Sequence, residues 1–127
     1  MEIRLSTTDG LPVYRQIVNQ VKYLVASGRL RPGQELPTIR SLAERLVINP
    51  NTVVHAYADL ERDGVIVCRH GSGSYVAETA QRSSRKEATQ SLADKVDSLL
   101  ADAAHLQLGL EDVLNVIRNR HQQLKRK

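Results

Sequence analysis

Asn49-Pro50-Asn51-Thr52 is the stretch of this chain whose side chains best suit a chemical task, and that task is recognition rather than bond-making. An asparagine amide matches adenine N6 and N7, while threonine offers a hydroxyl to either kind of partner and a methyl that suits thymine. The same residues carry helix-opening signals, Asn at the cap and Pro at the first position, and the N–H groups at such an end attract phosphate. Asn49 therefore acts as a cap, as a DNA ligand, or as both. Asn51, Thr52 and, one turn on, His55 face outward from the helix that follows. Thr38 caps an earlier helix and joins the same candidate contact set. Arg40, in that helix's first turn, opposes the macrodipole, which leaves a neighbouring phosphate or plain solvation to explain its place. Arg69 and His70 precede Gly71-Ser72-Gly73, a loop slim enough to approach a sugar-phosphate backbone, although turn geometry alone also selects Gly71 and Gly73.

Catalysis and metal binding have no comparable pattern. His55, His70, His105 and His121 fall in separate elements, Cys68 is the single cysteine, and neither CxxC nor HxxxH spacing occurs. No nucleophile-base pair or Gly-rich phosphate loop is present. The expectation is a non-enzyme without cofactor or metal, in which Cys68 is a small buried hydrophobe in a strand.

The elements that must position these residues are legible from periodicity. Tyr14, Ile17, Val18, Val21, Leu24 and Val25 recur at helical spacing between Pro12 and the stop at Gly28. Residues 29–37 read as a loop with at most a very short strand, because two prolines forbid helix there. A second helix starts behind Thr38 with Ile39, Leu42, Ala43 and Leu46 inward. A third runs from the Asn49 cap to Gly64 with Val53, Ala56, Tyr57 and Leu60 inward, leaving Asn51, Thr52, Val54, His55 and also Asp59 for the outer side. Residues 65–69 and 74–77 form a β-hairpin. Helix, helix, tight turn, helix, hairpin is the order of a winged helix-turn-helix, whose third helix lies in the major groove. The fold class is thus mainly α with a small β-hairpin, the winged helix-turn-helix occupying 1–78. Residues 79–91 have hardly an apolar side chain and read as a linker or a solvated helical extension, so the boundary is placed there. In 79–127 two apolar stripes, Leu92, Val96, Leu99, Leu100 and Leu106, then Val113, Leu114, Ile117 and Leu124, form a helical hairpin. Two such stripes exceed what one hairpin buries, so the hairpins of two chains are expected to pack into a four-helix homodimer interface.

Composition bounds these readings. The chain has 127 residues, 41% hydrophobic and 25% charged, and its only aromatics are four tyrosines, which disfavours the stacking platforms of single-strand binders. Net charge is +4, but residues 1–78 hold nine basic against eight acidic side chains, so placement of the cations must carry the argument. No apolar run approaches the roughly 20 residues of a bilayer span. The single cysteine and the absence of a signal-like N-terminus point to a cytoplasmic protein.

Leu36-Pro37-Thr38-Ile39-Arg40-Ser41-Leu42-Ala43, Ile48-Asn49-Pro50-Asn51-Thr52-Val53, Leu60-Glu61-Arg62-Asp63-Gly64 and Arg69-His70-Gly71-Ser72-Gly73-Ser74-Tyr75-Val76 follow one another in an order and spacing that resembles the GntR transcriptional regulators, and within them the short-tailed YtrA-like branch. The resemblance implies that Arg40 binds DNA, that residues 49–52 open the recognition helix, and that His70 and Gly71 supply a wing contact. It also implies a homodimer, and it allows a small-molecule effector at the dimer interface whose identity no residue reveals. Many relatives carry Arg where this chain has Pro50 and a basic residue where it has Val54. These departures remove charged contacts and leave the operator sequence open. The expected function is sequence-specific binding of a pseudo-palindromic double-stranded operator as a repressor, with a winged-helix protein-interaction module as the alternative.

Overall fold

Val13–Ala26 forms the first helix, α1, which enters the interior through Ile17, Val18, Val21 and Val25, all fully buried. The computed structural model describes residues 1–8, 10–69 and 71–125. Gln16 is buried beside that apolar face and is satisfied by backbone: its Oε1 accepts from Ser6 N–H at 2.8 Å, and its Nε2 donates to the carbonyls of Ser6 and Leu11 at 2.8 and 3.0 Å. A buried amide with such partners costs little, and it fixes the segment before α1 against the helix.

α2 spans Ile39–Leu46 and α3 spans Pro50–Arg62. Thr38 caps α2, its Oγ1 accepting from Ser41 N–H at 3.0 Å, and Leu42 and Ala43 turn inward. The helix ends at Val47, which takes a left-handed conformation with φ 55. Val53, Ala56, Tyr57 and Leu60 of α3 are buried against α1 and α2. The Tyr57 hydroxyl donates to the Pro37 carbonyl at 2.7 Å, tying the entry of α2 to the middle of α3. Burial pushes that hydroxyl well above the ordinary tyrosine range, so it remains a donor at any working pH.

β1 (Ile66–Arg69) and β2 (Gly73–Val76) pair antiparallel, with Ile66 opposite Val76 and Arg69 opposite Gly73. The loop before α2 adds a third rung: Gly33 N–H donates to Val76, Val76 N–H to Gln34 and Leu36 N–H to Ser74, around a bridge from Glu35 to Tyr75. This is the very short strand allowed by the sequence. Only Ile66 of β1 is buried; Val67, Cys68 and Arg69 project beyond the core. Cys68 is therefore exposed rather than a buried hydrophobe.

α4 (Ala80–His105) and α5 (Leu110–Lys125) complete the chain. Of the two readings of 79–91, linker or helical extension, the helix is the one that forms: these residues open α4 from Ala80, with Ala80 and Ser84, one turn apart, both buried although apolar periodicity is absent. Lys22 of α1 reaches Glu87 of α4 at 3.1 Å and Asp63, beyond the end of α3, at 3.0 Å. Contacts divide the chain into Met1–Ala88 and Thr89–Lys127. Within the second unit, Ala103 and Val113 are buried. The turn before α5 is closed by Gly109 N–H donating to Asp112 Oδ2 at 2.9 Å, with Glu111 and Asp112 complementing the helix N-terminus. Among the described residues, no helix is long and apolar enough to cross a membrane.

Candidate nucleic-acid interface

The N-terminus of α3 is built by Asn49 and Pro50. Asn49 Oδ1 accepts from Asn51 N–H at 2.8 Å, while Pro50 takes the first helical position, where a missing N–H costs nothing. The capping use of Asn49 is thus the one its carbonyl serves. Asn51 is exposed, and its side-chain amide has no hydrogen-bond partner among the described residues. Thr52 is half-buried beside it.

Arg40 is 90% exposed on α2, with Glu44 3.7 Å away one turn on, a weak solvated pair. It borders an open groove shared with Val47, Asn49 and Pro50, so the cation of α2 and the opening of α3 belong to one surface. Thr38 is exposed at the start of α2, its oxygen already accepting from Ser41.

His55 is exposed on the outer side of α3, as expected, and neighbours hold it there. Its ring stacks on Tyr14 of α1, centroids 3.7 Å apart at 14°, and its Nε2 lies 3.9 Å from Asp59. Asp59, expected outward, is buried and paired with Arg62 at 3.3 Å. The carboxylate gains two polar neighbours from its own helix face, which offsets desolvation. Periodicity placed Tyr14 among the core residues; nothing in its spacing announced a ring stack at the edge of the recognition surface.

The wing is anchored at both ends. Cys68 N–H donates to Glu61 Oε2 at 3.1 Å, which ties β1 to α3, and Tyr75 Oη donates to the Ser72 carbonyl at 2.9 Å across the tip. Arg69 lies over the Tyr75 ring, 5.1 Å from its centroid, which steadies the guanidinium, and no carboxylate among the described residues pairs with it. Gly71 adopts φ +76 at the exposed tip, and at Gly73, φ +120, a Cβ would stand 3.1 Å from Glu35 Oε1. Both positions require glycine for backbone reasons, whatever they touch. His70 lies outside the described residues.

In the second unit, Leu92, Val96, Leu99, Leu100, Leu106, Ile117 and Leu124 are exposed, and Leu114 is half-buried. Val113, grouped with them in the sequence, is already buried in the second unit, although α4 and α5 do not pack along their lengths as the expected hairpin would. Leu108, Leu110 and Val116 enlarge the exposed apolar set; the first two fall between the stripes and Val116 within the second, and none was singled out by spacing.

Comparison with known proteins gives a consistent picture. Residues 13–76 match the family described as bacterial regulatory proteins, gntR family. The chain is 35% identical over 109 residues to the HTH-type transcriptional repressor YtrA of Bacillus subtilis (strain 168), an alignment covering 86% of this chain and 84% of that protein. A transcriptional regulator from Oenococcus oeni superposes with a TM-score of 0.76 at 28% identity, over 91% of this chain and 95% of that one. The DNA-binding domain of AraR, solved in complex with operator ORE1, superposes with a TM-score of 0.52 at 26% identity, over 61% of this chain and 94% of that one.

Proposed function

The chain belongs to the gntR family of bacterial regulatory proteins, DNA-binding transcriptional regulators with a winged helix-turn-helix, and we propose that it is a cytoplasmic repressor that occupies a pseudo-palindromic operator as a homodimer. Residues up to about 78 form the DNA-binding part in this reading, and α4 and α5 beyond form the dimerisation part. The observation that carries it is the surface shared by α2 and α3: an exposed guanidinium at Arg40 bordering the groove at whose rim α3 opens, with the uncommitted amide of Asn51 on the next residue. α3 enters the major groove with its N-terminal residues at the base edges. Arg40 meets a phosphate and sets register, Asn51 reads a base, and Thr38, Thr52, the Asn49 amino group and Pro50 line the approach. His55, steadied by Tyr14, presents the exposed edge of its ring. Arg69, Gly71 and Gly73 bring the wing to the backbone, and His70, which lies between Arg69 and Gly71 in the sequence, is proposed as a further contact there.

The second unit supports dimerisation: α4 and α5 leave most of their apolar side chains exposed there and bury only Ala103 and Val113 among the described residues. Such a patch calls for a partner, and a second copy satisfies it by symmetry. Pairing places two recognition helices for half-sites about one helical turn, or a multiple of it, apart.

Fluorescence anisotropy with duplexes from the promoter region, at two salt concentrations, tests the reading. Binding should weaken as salt rises, and Arg40→Ala should weaken selected and random duplexes alike while flattening the salt slope by about one phosphate contact. Salt-insensitive or absent binding would refute it.

A further inference from the structure

Pro50, Val54 and Ala58 stand four residues apart on α3 and form one row of its surface, and all three are exposed. The adjoining row carries Asn51 and His55, also exposed, while Arg62 stands one turn beyond Ala58 on the first row. Over its first two turns the outer face of α3 is thus split lengthwise into a row that can hydrogen-bond and a row that cannot, the apolar row ending at Arg62. Val47 extends the apolar row beyond the helix: it borders the same groove as Pro50 and Arg40 and is 88% exposed.

Single exposed apolar side chains need no explanation, but Val47 is more than that. A β-branched residue at φ 55 is a backbone outlier, in a conformation that glycine or asparagine adopts more readily, and outliers of this kind collect at functional surfaces. Its side chain is almost wholly solvated, so interior packing does not account for it.

Building on the reading that α3 lies in the major groove, we propose that Val54, with Val47 and Pro50, reads the C5 methyl groups of thymines, so that this chain selects operator positions by apolar contact. The thymine methyl is the apolar group that base edges present in that groove. Arg40, on the rim of the same groove and only weakly paired with Glu44 there, supplies the cation that meets a phosphate backbone alongside, whereas an apolar protein partner would leave that charged pair against apolar surface.

The test uses the full-length protein and duplexes it selects from a random pool. Each thymine of a selected duplex is replaced in turn by deoxyuridine, which removes only the methyl group, and affinity is measured by anisotropy. At one or two thymines per half-site, uracil should weaken the wild type about three- to fivefold, the value of one buried methyl-sized group. Val54→Ala should bind thymine and uracil duplexes equally at one of those positions. Uracil tolerated everywhere by a protein that still prefers selected over random DNA overturns the methyl-reading proposal and leaves DNA binding standing. Full uracil penalties retained by Val54→Ala overturn the role of Val54. Failure to select any duplex overturns both readings. The wild-type uracil series needs no variant, so a folding defect in Val54→Ala leaves the test intact.

Discussion

Asn49 and Asn51 differ by two positions and by what their amides do. The first holds the backbone N–H of the second; the second has its side chain left over. Asn49→Ala should therefore lower stability by about 1 kcal/mol, the usual cost of losing an N-cap, seen as a lower midpoint in thermal or urea denaturation. Asn51→Ala should leave that midpoint unchanged and reduce discrimination between operator and single-base variants by about 1–3 kcal/mol. A common stability loss in both variants would refute the division. The sequence left Asn49 open between two uses because one residue type serves both, and only the 2.8 Å bond to Asn51 separates them. Cys68 and Asp59 were misplaced for related reasons. Strand alternation says which side chains share a face but not where the sheet leaves the core, and Asp59 sits near the edge of the helical arc, where a carboxylate goes inward once Arg62 accompanies it. Val47 supplies a further prediction. Val47→Gly relieves the left-handed strain and removes a solvated side chain, so it should stabilise by about 0.5–1 kcal/mol after the entropy glycine adds to the unfolded chain. On the methyl-reading proposal, the same variant should bind the operator less well despite its higher melting temperature.

At the scale of elements, α1, α2, α3 and the hairpin were legible because each carries both a period and punctuation: Pro12 before α1, Thr38 and Asn49 at two caps, Gly64 after α3. The opening of α4 was left between linker and solvated helix, since it is buried through Ala80 and Ser84 rather than through large apolar residues, and period-finding is blind to small ones. What holds α1, the end of α3 and α4 together is in part the Lys22 ammonium between Asp63 and Glu87. The hydrogen bond from Lys22 holds the Asp63 carboxyl below its ordinary range. A depressed native pKa means that the stabilisation is present above the unfolded carboxylate value of about 3.9 and is lost as pH falls through the native value. Asp63→Asn should therefore lower the unfolding midpoint at pH 7, by about 1 kcal/mol or less for a partly exposed pair, and the gap from wild type should close as the pH drops below about 3.9. A gap that persists at pH 2.5 would assign the effect to packing.

At the scale of the whole molecule, the exposed leucines and valines of α4 and α5 bear on assembly. Glutamate at both Leu99 and Leu100 should leave helicity by circular dichroism unchanged, convert the protein to a monomer by light scattering, and weaken binding to a two-half-site operator by about a hundredfold through lost avidity. Unchanged mass and affinity would show that the stripe pairs with something else or with nothing. The apolar count of residues 92–124 made the surplus visible from sequence, whereas which members are used internally, Val113 among them, depends on how α5 turns about its axis. The clamp formed by Gln16 sets a boundary of another kind. Its carboxamide is sealed by carbonyls and an N–H from Ser6 and Leu11, which helix periodicity would assign to a dispensable leader. A fragment trimmed to the first residue of α1 would strand that carboxamide in an apolar interior without partners. Any excised version meant for crystallisation or spectroscopy must therefore begin upstream of Ser6, and amide exchange at Ser6 should be as slow as in the helices it serves.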